Sequence, residues 1–296
     1  MKKLFLATTF VFTAICCNIS YAQNEISLPD SKNLKGPTKF KSLNYLYAIS
    51  GKYTVAGIHN REPNAMPAKW TEEVNKTIGK YPGLWSGDFL FQSENIADRQ
   101  KMINEAANQW EKGSIVNIMW HACNPALEQP CGWDKQGVLS KLTDAQWTEL
   151  ITEGTVINLR WKTMMDEIAG YLQQLKDKKV EVLFRPLHEM NQGVFWWGGR
   201  PGASGTRKLY QLTRDYLAKT KGLTNLIWVW DIQDFKSLAN DAIEYNPGDA
   251  YWDVAALDIY DDKSGFSQEK YDIMVKAAGE KPIAIGECQK YPRAEV

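Results

Sequence analysis

Residues 180–199 read VEVLFRPLHEMNQGVFWWGG. They open with Val180–Phe184, an apolar and largely β-branched run of the kind that a fully buried strand shows. Polarity then arrives at once in Arg185, Pro186, His188 and Glu189. Alternation along an extended chain puts Arg185, Leu187 and Glu189 on one face. An arginine and a carboxylate are therefore expected to emerge together where the strand runs out. Phe195, Trp196 and Trp197 follow, then Gly198 and Gly199. A carboxylic acid at a strand end, flanked by aromatic rings, suits general acid catalysis on a sugar. Indole faces stack on the C–H faces of pyranose rings, and apolar walls raise a carboxyl pKa. Taken alone, the glutamate reads more readily as a solvated strand-end acid beside core tryptophans.

Outward from this stretch, apolar runs and helical patterns alternate. Strands are expected over 53–59, 84–91, 114–120, 180–184, 226–230, 254–259 and 282–285. Helices are expected over 41–50, 98–112, 155–176, 204–221 and 268–278. The longest carries Trp161, Met164, Met165, Ile168, Leu172 and Leu175 on one face. Repeated strand-then-helix units call for a parallel sheet. Seven of them in one domain predict a (β/α)8 TIM barrel, with a doubly wound sheet as the alternative.

In a TIM barrel the chemistry sits where strands end in loops. The expected strand ends deliver His59 and Asn60, Trp120 and His121, then His188 and Glu189. Further on come Trp228, Trp230 and Asp231, then Asp258 and Tyr260. Last comes Glu287, in phase with Ile283 and Ile285. All three histidines of the chain stand at strand ends. Glu287 follows Gly286, which leaves room for a ligand or another backbone beside it. Glycoside hydrolysis needs two carboxyls across one bond, one protonated and one ionised. Glu189 and Glu287 are the candidates, from strands whose mouths face obliquely across the ring.

At the chain start, Lys2 and Lys3 precede an apolar run from Leu4 to Ile15, and Ser20-Tyr21-Ala22 supplies small residues. Residues 1–22 are expected to be a secretory signal peptide, its apolar run too short to span a membrane. Cys16 and Cys17 offer a lipid anchor as the alternative, although Ile15 before Cys16 departs from the usual surroundings. Export to the periplasm or the extracellular space is expected. Without residues 1–22 the chain holds 33 basic and 35 acidic residues over 274 positions. That balance gives no electrostatic reason to bind nucleic acid or anionic membrane. The length suits one large domain, residues 23–296, with no transmembrane segment. Cys123 and Cys131 bracket the short loop CNPALEQPC, so a disulfide or two thiols are both readable there, with Cys288 left over. Three histidines and no His/Cys pair at ligand spacing argue against a metal site.

The string RPLHEMNQGVFWWGG resembles the acid/base segment of glycoside hydrolase family 26, mostly β-mannanases. The similarity extends over nearly the whole chain after residue 22, most strongly at 184–199, 256–262 and 282–288. By this resemblance Glu189 corresponds to the acid/base and Glu287 to the nucleophile of a retaining enzyme. His188 would orient the site, and Tyr260 would hydrogen-bond the nucleophile and the sugar. His121, in its Trp-His pair, would touch substrate. Many members have Trp where Val194 stands, and Phe195 or Trp196 would then serve as the sugar wall. The resemblance also implies an eighth β/α unit carrying an aromatic floor, whereas only nine residues follow Glu287. The barrel is therefore expected to lack that unit. The implied function is an exported endo-β-1,4-mannanase acting on a polysaccharide or oligosaccharide, a monomer needing no cofactor. Another β-glycanase acting on xylan or mixed-linkage glucan, or a glycan-binding protein with a disused site, are the alternatives.

Overall fold

The computed structural model describes residues 38–61, 63–260 and 265–290. The expected signal peptide at 1–22 lies outside them. The first half holds β1 (Gly57–His59), β2 (Leu84–Asp88), β3 (Ile115–Trp120) and β4 (Val182–Pro186). β5 (Leu226–Gln233), β6 (Val254–Ile259) and β7 (Ile283–Cys288) complete the strands. Every neighbouring pair is parallel and follows chain order from β1 to β7. That order excludes the doubly wound alternative, in which strand order reverses at a switch point. The strands curl into the wall of a (β/α)8 barrel with helices on its convex side. Among the described residues seven strands are present, and β1 and β7 each pair on one side only.

The helices are α1 (Lys41–Ile49), α2 (Lys69–Ile78), α3 (Ser93–Ala97), α4 (Arg99–Glu111) and α5 (Asp144–Ile151). They continue as α6 (Val156–Asp177), α7 (Thr206–Asp215), α8 (Leu238–Glu244) and α9 (Gln268–Ala278). α7 runs into one π-helical turn, Tyr216–Thr220. α2, α3, α5 and α8 are absent from the sequence expectation. α5 nevertheless carries a full capping box, with Thr143 and Gln146 exchanging side-chain and backbone bonds. β1 is also shorter than expected, because Tyr53 points to solvent and is 70% exposed.

Period-two alternation explains the two apolar clusters. Ile115, Leu183, Ile227, Val229, Val254 and Ala256 face the concave side and pack with Phe40 and Leu43 around α1. Val116, Val182, Phe184, Trp228, Trp230 and Leu257 face outward and join the helices. Trp228 packs edge-on against Phe184, ring centres 5.5 Å apart, and Trp230 lies 5.2 Å from Trp252. These two tryptophans therefore belong to the outer core, not to the barrel mouth where the strand reading put them. At the N-terminal end the Glu181 carboxylate accepts the Lys41 and Ser42 N–H groups at 2.8 and 2.7 Å. An acid at these orphan donors caps α1 over the barrel floor. With that floor apolar and plugged, the next inward residues up each strand are polar.

Candidate active site

The inward polar layer is centred on Arg185 of β4, whose side chain is 3% exposed. Its Nε donates to Asp231 Oδ2 at 2.9 Å, and its Nη1 to Glu287 Oε1 at 2.9 Å. Nη2 lies 2.9 Å from Asp231 Oδ2 and also donates to Asp258 Oδ2. The fifth N–H points at the Met119 sulfur, 3.0 Å away. β4, β5, β6 and β7 thus each place one ionisable group on the same point. A planar guanidinium with five fixed donors is the side chain that can serve such a convergence.

Glu189 reaches the layer by a route that alternation does not describe. β4 ends at Pro186, and Leu187 and Glu189 adopt left-handed backbone with φ of 53° and 50°. This corrects the expectation that Arg185, Leu187 and Glu189 share one extended face. Leu187 is buried in the outer core. The Glu189 N–H donates to Asp231 Oδ1 at 2.7 Å, which fixes the strained turn. Its Oε2 accepts from Gln192 Nε2 at 2.7 Å, and the residue is 6% exposed. Burial, then the negative charges of Glu287 and Asp231, push its carboxyl pKa up to about 8.

Glu287 shows the opposite electrostatics. Besides Arg185, its Oε2 accepts the Tyr260 hydroxyl at 2.6 Å. Burial opposes its ionisation, but Arg185 and the Tyr260 hydroxyl outweigh it and hold the carboxyl well below the usual range. Glu287 also corrects the strand reading. β6 and β7 change register here, Leu257 pairing with Ile285 but Asp258 with Glu287. The extra residue, Gly286, is a β-bulge that turns Glu287 inward while Ile285 stays on the outer face, 42% exposed. A Cβ at Gly286 would lie 2.6 Å from Asp231 Oδ2 and closer still to Asp258 Oδ1. The room beside this glycine is therefore filled by carboxylates, not by a ligand.

The aromatic wall forms around the β3 and β4 loops. His121 Nδ1 lies 2.5 Å from Asp88 Oδ2, and its backbone N–H donates to Asp88 Oδ1 at 3.2 Å. Burial disfavours the Asp88 anion, but His121 and the Leu90 N–H hold its carboxyl below the usual range. His188 meets His121 edge-on with ring centres 4.3 Å apart. Burial, then the neighbouring His121 and Arg185, lower the His188 pKa far enough that the ring is neutral at pH 7. Tyr260 stands at the rim, 38% exposed, its N–H donating to Asp234 Oδ1 at 3.1 Å. Asp234 in turn accepts from Lys270 Nζ at 2.6 Å.

Two expected sugar contacts are placed otherwise. Trp196 is 1% exposed, and its indole N–H donates to Ala122 O at 2.8 Å. Its ring meets Trp161 edge-on, centres 5.5 Å apart, in the outer core. It has no free face, which corrects its assignment to substrate binding. Phe195 is 4% exposed and stacks on Trp197 at 4.4 Å, so it backs the two histidines instead of presenting a platform. The exposed ring is Trp133, 51% exposed and 5.7 Å from both His121 and Phe195. It follows the Cys123–Cys131 disulfide, which closes the loop with a Cα–Cα distance of 5.9 Å. Cys288 is a free thiol.

The sequence reading missed Trp133, Asp88 and Asp234. Asp88 had a signal, being the single acid in the apolar run LWSGDFLF. Trp133 had none, because a lone tryptophan in a loop has no period. Among the described residues no group of three or more His, Cys, Asp or Glu side chains is arranged to hold a metal ion. Nor is any described helix long and apolar enough to cross a membrane.

Comparison with known proteins agrees with this geometry. Residues 33–294 match the profile of glycosyl hydrolase family 26. A mannan endo-1,4-beta-mannosidase of Thermothelomyces thermophilus is 31% identical over 266 residues, 84% of this chain and 50% of that protein. One from Bacillus subtilis is 31% identical over 231 residues, 73% of this chain and 60% of that protein. The chain thus spans about half of the length of the first and somewhat more of the second. Among solved structures, GH26A from Muricauda sp. MAR_2010_75 superposes with a TM-score of 0.79 at 33% identity, covering 86% of this chain and 82% of that one. A β-mannanase from a symbiotic protist of the termite Reticulitermes speratus, complexed with gluco-manno-oligosaccharide, gives 0.72 at 26% identity, covering 84% and 78%. Matched along almost its whole described length in sequence and in fold, the chain belongs to glycosyl hydrolase family 26.

Proposed function

We propose that this chain is a retaining glycosidase that cleaves internal β-1,4 linkages of mannan. The observation that carries the reading is the contrast in surroundings of two buried carboxyls, Glu189 with one amide donor and Glu287 held by Arg185 and the Tyr260 hydroxyl. Glu189 holds its proton up to about pH 8, while Glu287 is ionised throughout the range in which proteins work. That is the division of labour double displacement needs. Glu189 donates its proton to the glycosidic oxygen as the bond to the leaving sugar breaks. Glu287 attacks the anomeric carbon and forms a glycosyl-enzyme ester. With the ester formed, the Glu287 charge that raised the Glu189 pKa is gone. Glu189, now ionised, takes a proton from the incoming water, which displaces Glu287. Arg185 and Tyr260 orient the nucleophile, and His188 and His121 line the pocket in which the reacting sugar sits. Trp133, at the rim, is the platform on which a neighbouring sugar stacks. Export and a monomeric state belong to the same reading, and the disulfide supports an oxidising compartment.

Release of reducing ends from mannan, xylan and lichenan tests the substrate, and proton NMR of the first product tests the stereochemistry. The expected result is preferential cleavage of mannan to oligosaccharides, with the β-anomer appearing first. Preference for xylan or lichenan would replace the sugar and leave the chemistry. First appearance of the α-anomer would refute retention. No turnover of any of the three would favour a glycan-binding protein.

A further inference from the structure

Arg185 carries one positive charge and faces three buried or half-buried carboxyls, Asp231, Asp258 and Glu287, with Glu189 beside them. Three anions on one cation would leave two uncompensated negative charges inside the barrel, at a steep desolvation cost. The hydrogen bonds distinguish the three. Glu287 accepts from Arg185 and from Tyr260. Asp231 accepts two N–H groups, Arg185 Nε on Oδ2 and the Glu189 backbone on Oδ1, with Arg185 Nη2 in ion-pair contact 2.9 Å from Oδ2. Each of its oxygens therefore already has a donor. Among the described residues Asp258 accepts only from Arg185 Nη2, through Oδ2. Its other oxygen, Oδ1, is buried with no partner. As an anion, that oxygen would be an unpaired buried acceptor, while as a hydroxyl it becomes a donor. A ready acceptor stands next to it, since Asp258 Oδ1 and Asp231 Oδ2 crowd the same point beside Gly286.

We infer that Asp231 and Asp258 share a single proton, carried on Asp258 Oδ1 and donated to Asp231 Oδ2, and that Asp231 is the positioning residue for both catalytic carboxyls. One oxygen of Asp231 pins the backbone of Glu189. The other, with the neutral Asp258 beside it, sets the guanidinium that holds Glu287. The proton leaves the charge of Arg185 for Asp231 and Glu287 in place of dividing it among three anions. Burial, and then the charges of Asp231, Glu287 and Glu189 against that of Arg185, likewise raise Asp258 well above the ordinary carboxyl range. The inference rests on the proposed roles of Glu189 and Glu287 only for its catalytic half.

Carboxyl carbon NMR of the full chain labelled in aspartate alone tests the proton directly, because Glu189 is silent in that spectrum. One aspartate is expected to keep the chemical shift of a protonated acid at neutral pH, where ordinary aspartates are ionised. Its signal should vanish in Asp258→Asn, and in Asp231→Ala, where the acceptor and its charge are lost, the same carbon should ionise at lower pH. No protonated aspartate, or one that survives Asp258→Asn, overturns the assignment. Asparagine is the neutral isostere of a protonated aspartate, so an Asp258→Asn chain unfolded where the wild type is folded overturns it too. Catalysis tests the positioning half. Asp231→Asn turns an amide N–H₂ toward N–H donors and should lower kcat on the order of a hundredfold, with KM changed less. It should also move the alkaline limb of the kcat/KM profile to lower pH, since the Asp231 charge helps Glu189 keep its proton. An unmoved limb, or a loss in Asp258→Asn as large as in Asp231→Asn, refutes the positioning role. A wild type inactive on every glycan would instead count against the glycosidase reading and leave the NMR result standing.

Discussion

Replacing Glu189 with Gln should make the protein more stable as pH rises. The glutamate is 6% exposed, and its carboxyl pKa is pushed up to about 8 from an ordinary value of 4.5. In the unfolded chain it ionises near that ordinary value. Between the two pKa values the native state therefore binds more protons than the unfolded state, and stability falls as pH rises. At about 1.4 kcal/mol per pH unit, the wild type should have lost about 3 kcal/mol by about pH 7. The loss should level off near 5 kcal/mol, to order of magnitude, above about pH 8. Glutamine has nothing to ionise, and its amide oxygen can still accept from Gln192 Nε2. The stability gap between Glu189→Gln and wild type should accordingly widen with pH. Asp258 and Asp253 are also raised by burial, but both are present in the two chains and largely cancel in the difference. Glu287 is depressed, so its own loss of stability falls at acid pH and does not overlap this window. Urea unfolding of both chains at a series of pH values between about 5 and 9 measures the gap. A gap independent of pH, or one that narrows as pH rises, would refute the claim that burial and neighbouring anions hold a proton on Glu189.

Glu189→Ala should retain the first step on an activated aryl glycoside, whose leaving group needs no proton, and added azide should speed breakdown of its intermediate. Glu287→Ala should lose that step on every substrate, and equal losses without azide rescue would remove both roles. Tyr260→Phe deletes the 2.6 Å hydrogen bond to Glu287 Oε2. It should lower kcat roughly ten- to a hundredfold while changing KM less, and an unchanged kcat would take Tyr260 out of the site. Trp133→Ala removes a half-exposed ring from the rim. KM for mannan oligosaccharides should rise roughly three- to tenfold, and an unchanged KM for chains of any length would refute the platform.

The legible part of this fold is the part governed by a period. β3, β5, β6 and the long helix α6 follow hydrophobic patterns, and their expected spans agree with the structure to within one to three residues. Two of the four missed helices are short. α3 has five residues and α8 seven, too few to display two turns of a stripe. The same limit explains the errors at the site. Alternation presupposes continuous strand geometry, and the chain abandons it at the places where the two carboxyls must be aimed. At Glu189 it does so by two left-handed residues, and at Glu287 by a bulge. Read strictly in phase, β7 would have put Glu287 outside with Ile285. The bulge at Gly286 is what brings it inward beside Arg185.

Gly286 shows what a sequence reading needs in such a case. Its lack of a side chain was legible, and so was the inference that something approaches it closely. The occupant was not, because Asp231 and Asp258 come to Gly286 from the two preceding strands, β5 and β6, and which side chain faces it depends on the register and the bulge. A glycine next to a catalytic acid is thus a statement about space, and the space can hold substrate, backbone or buried charge. Here it holds two carboxyls whose separation from a third is set by one guanidinium. Any side chain at 286 would push on the charges that decide where Glu189 and Glu287 keep or lose their protons. The position is therefore constrained by electrostatics as much as by packing, although nothing at it ionises.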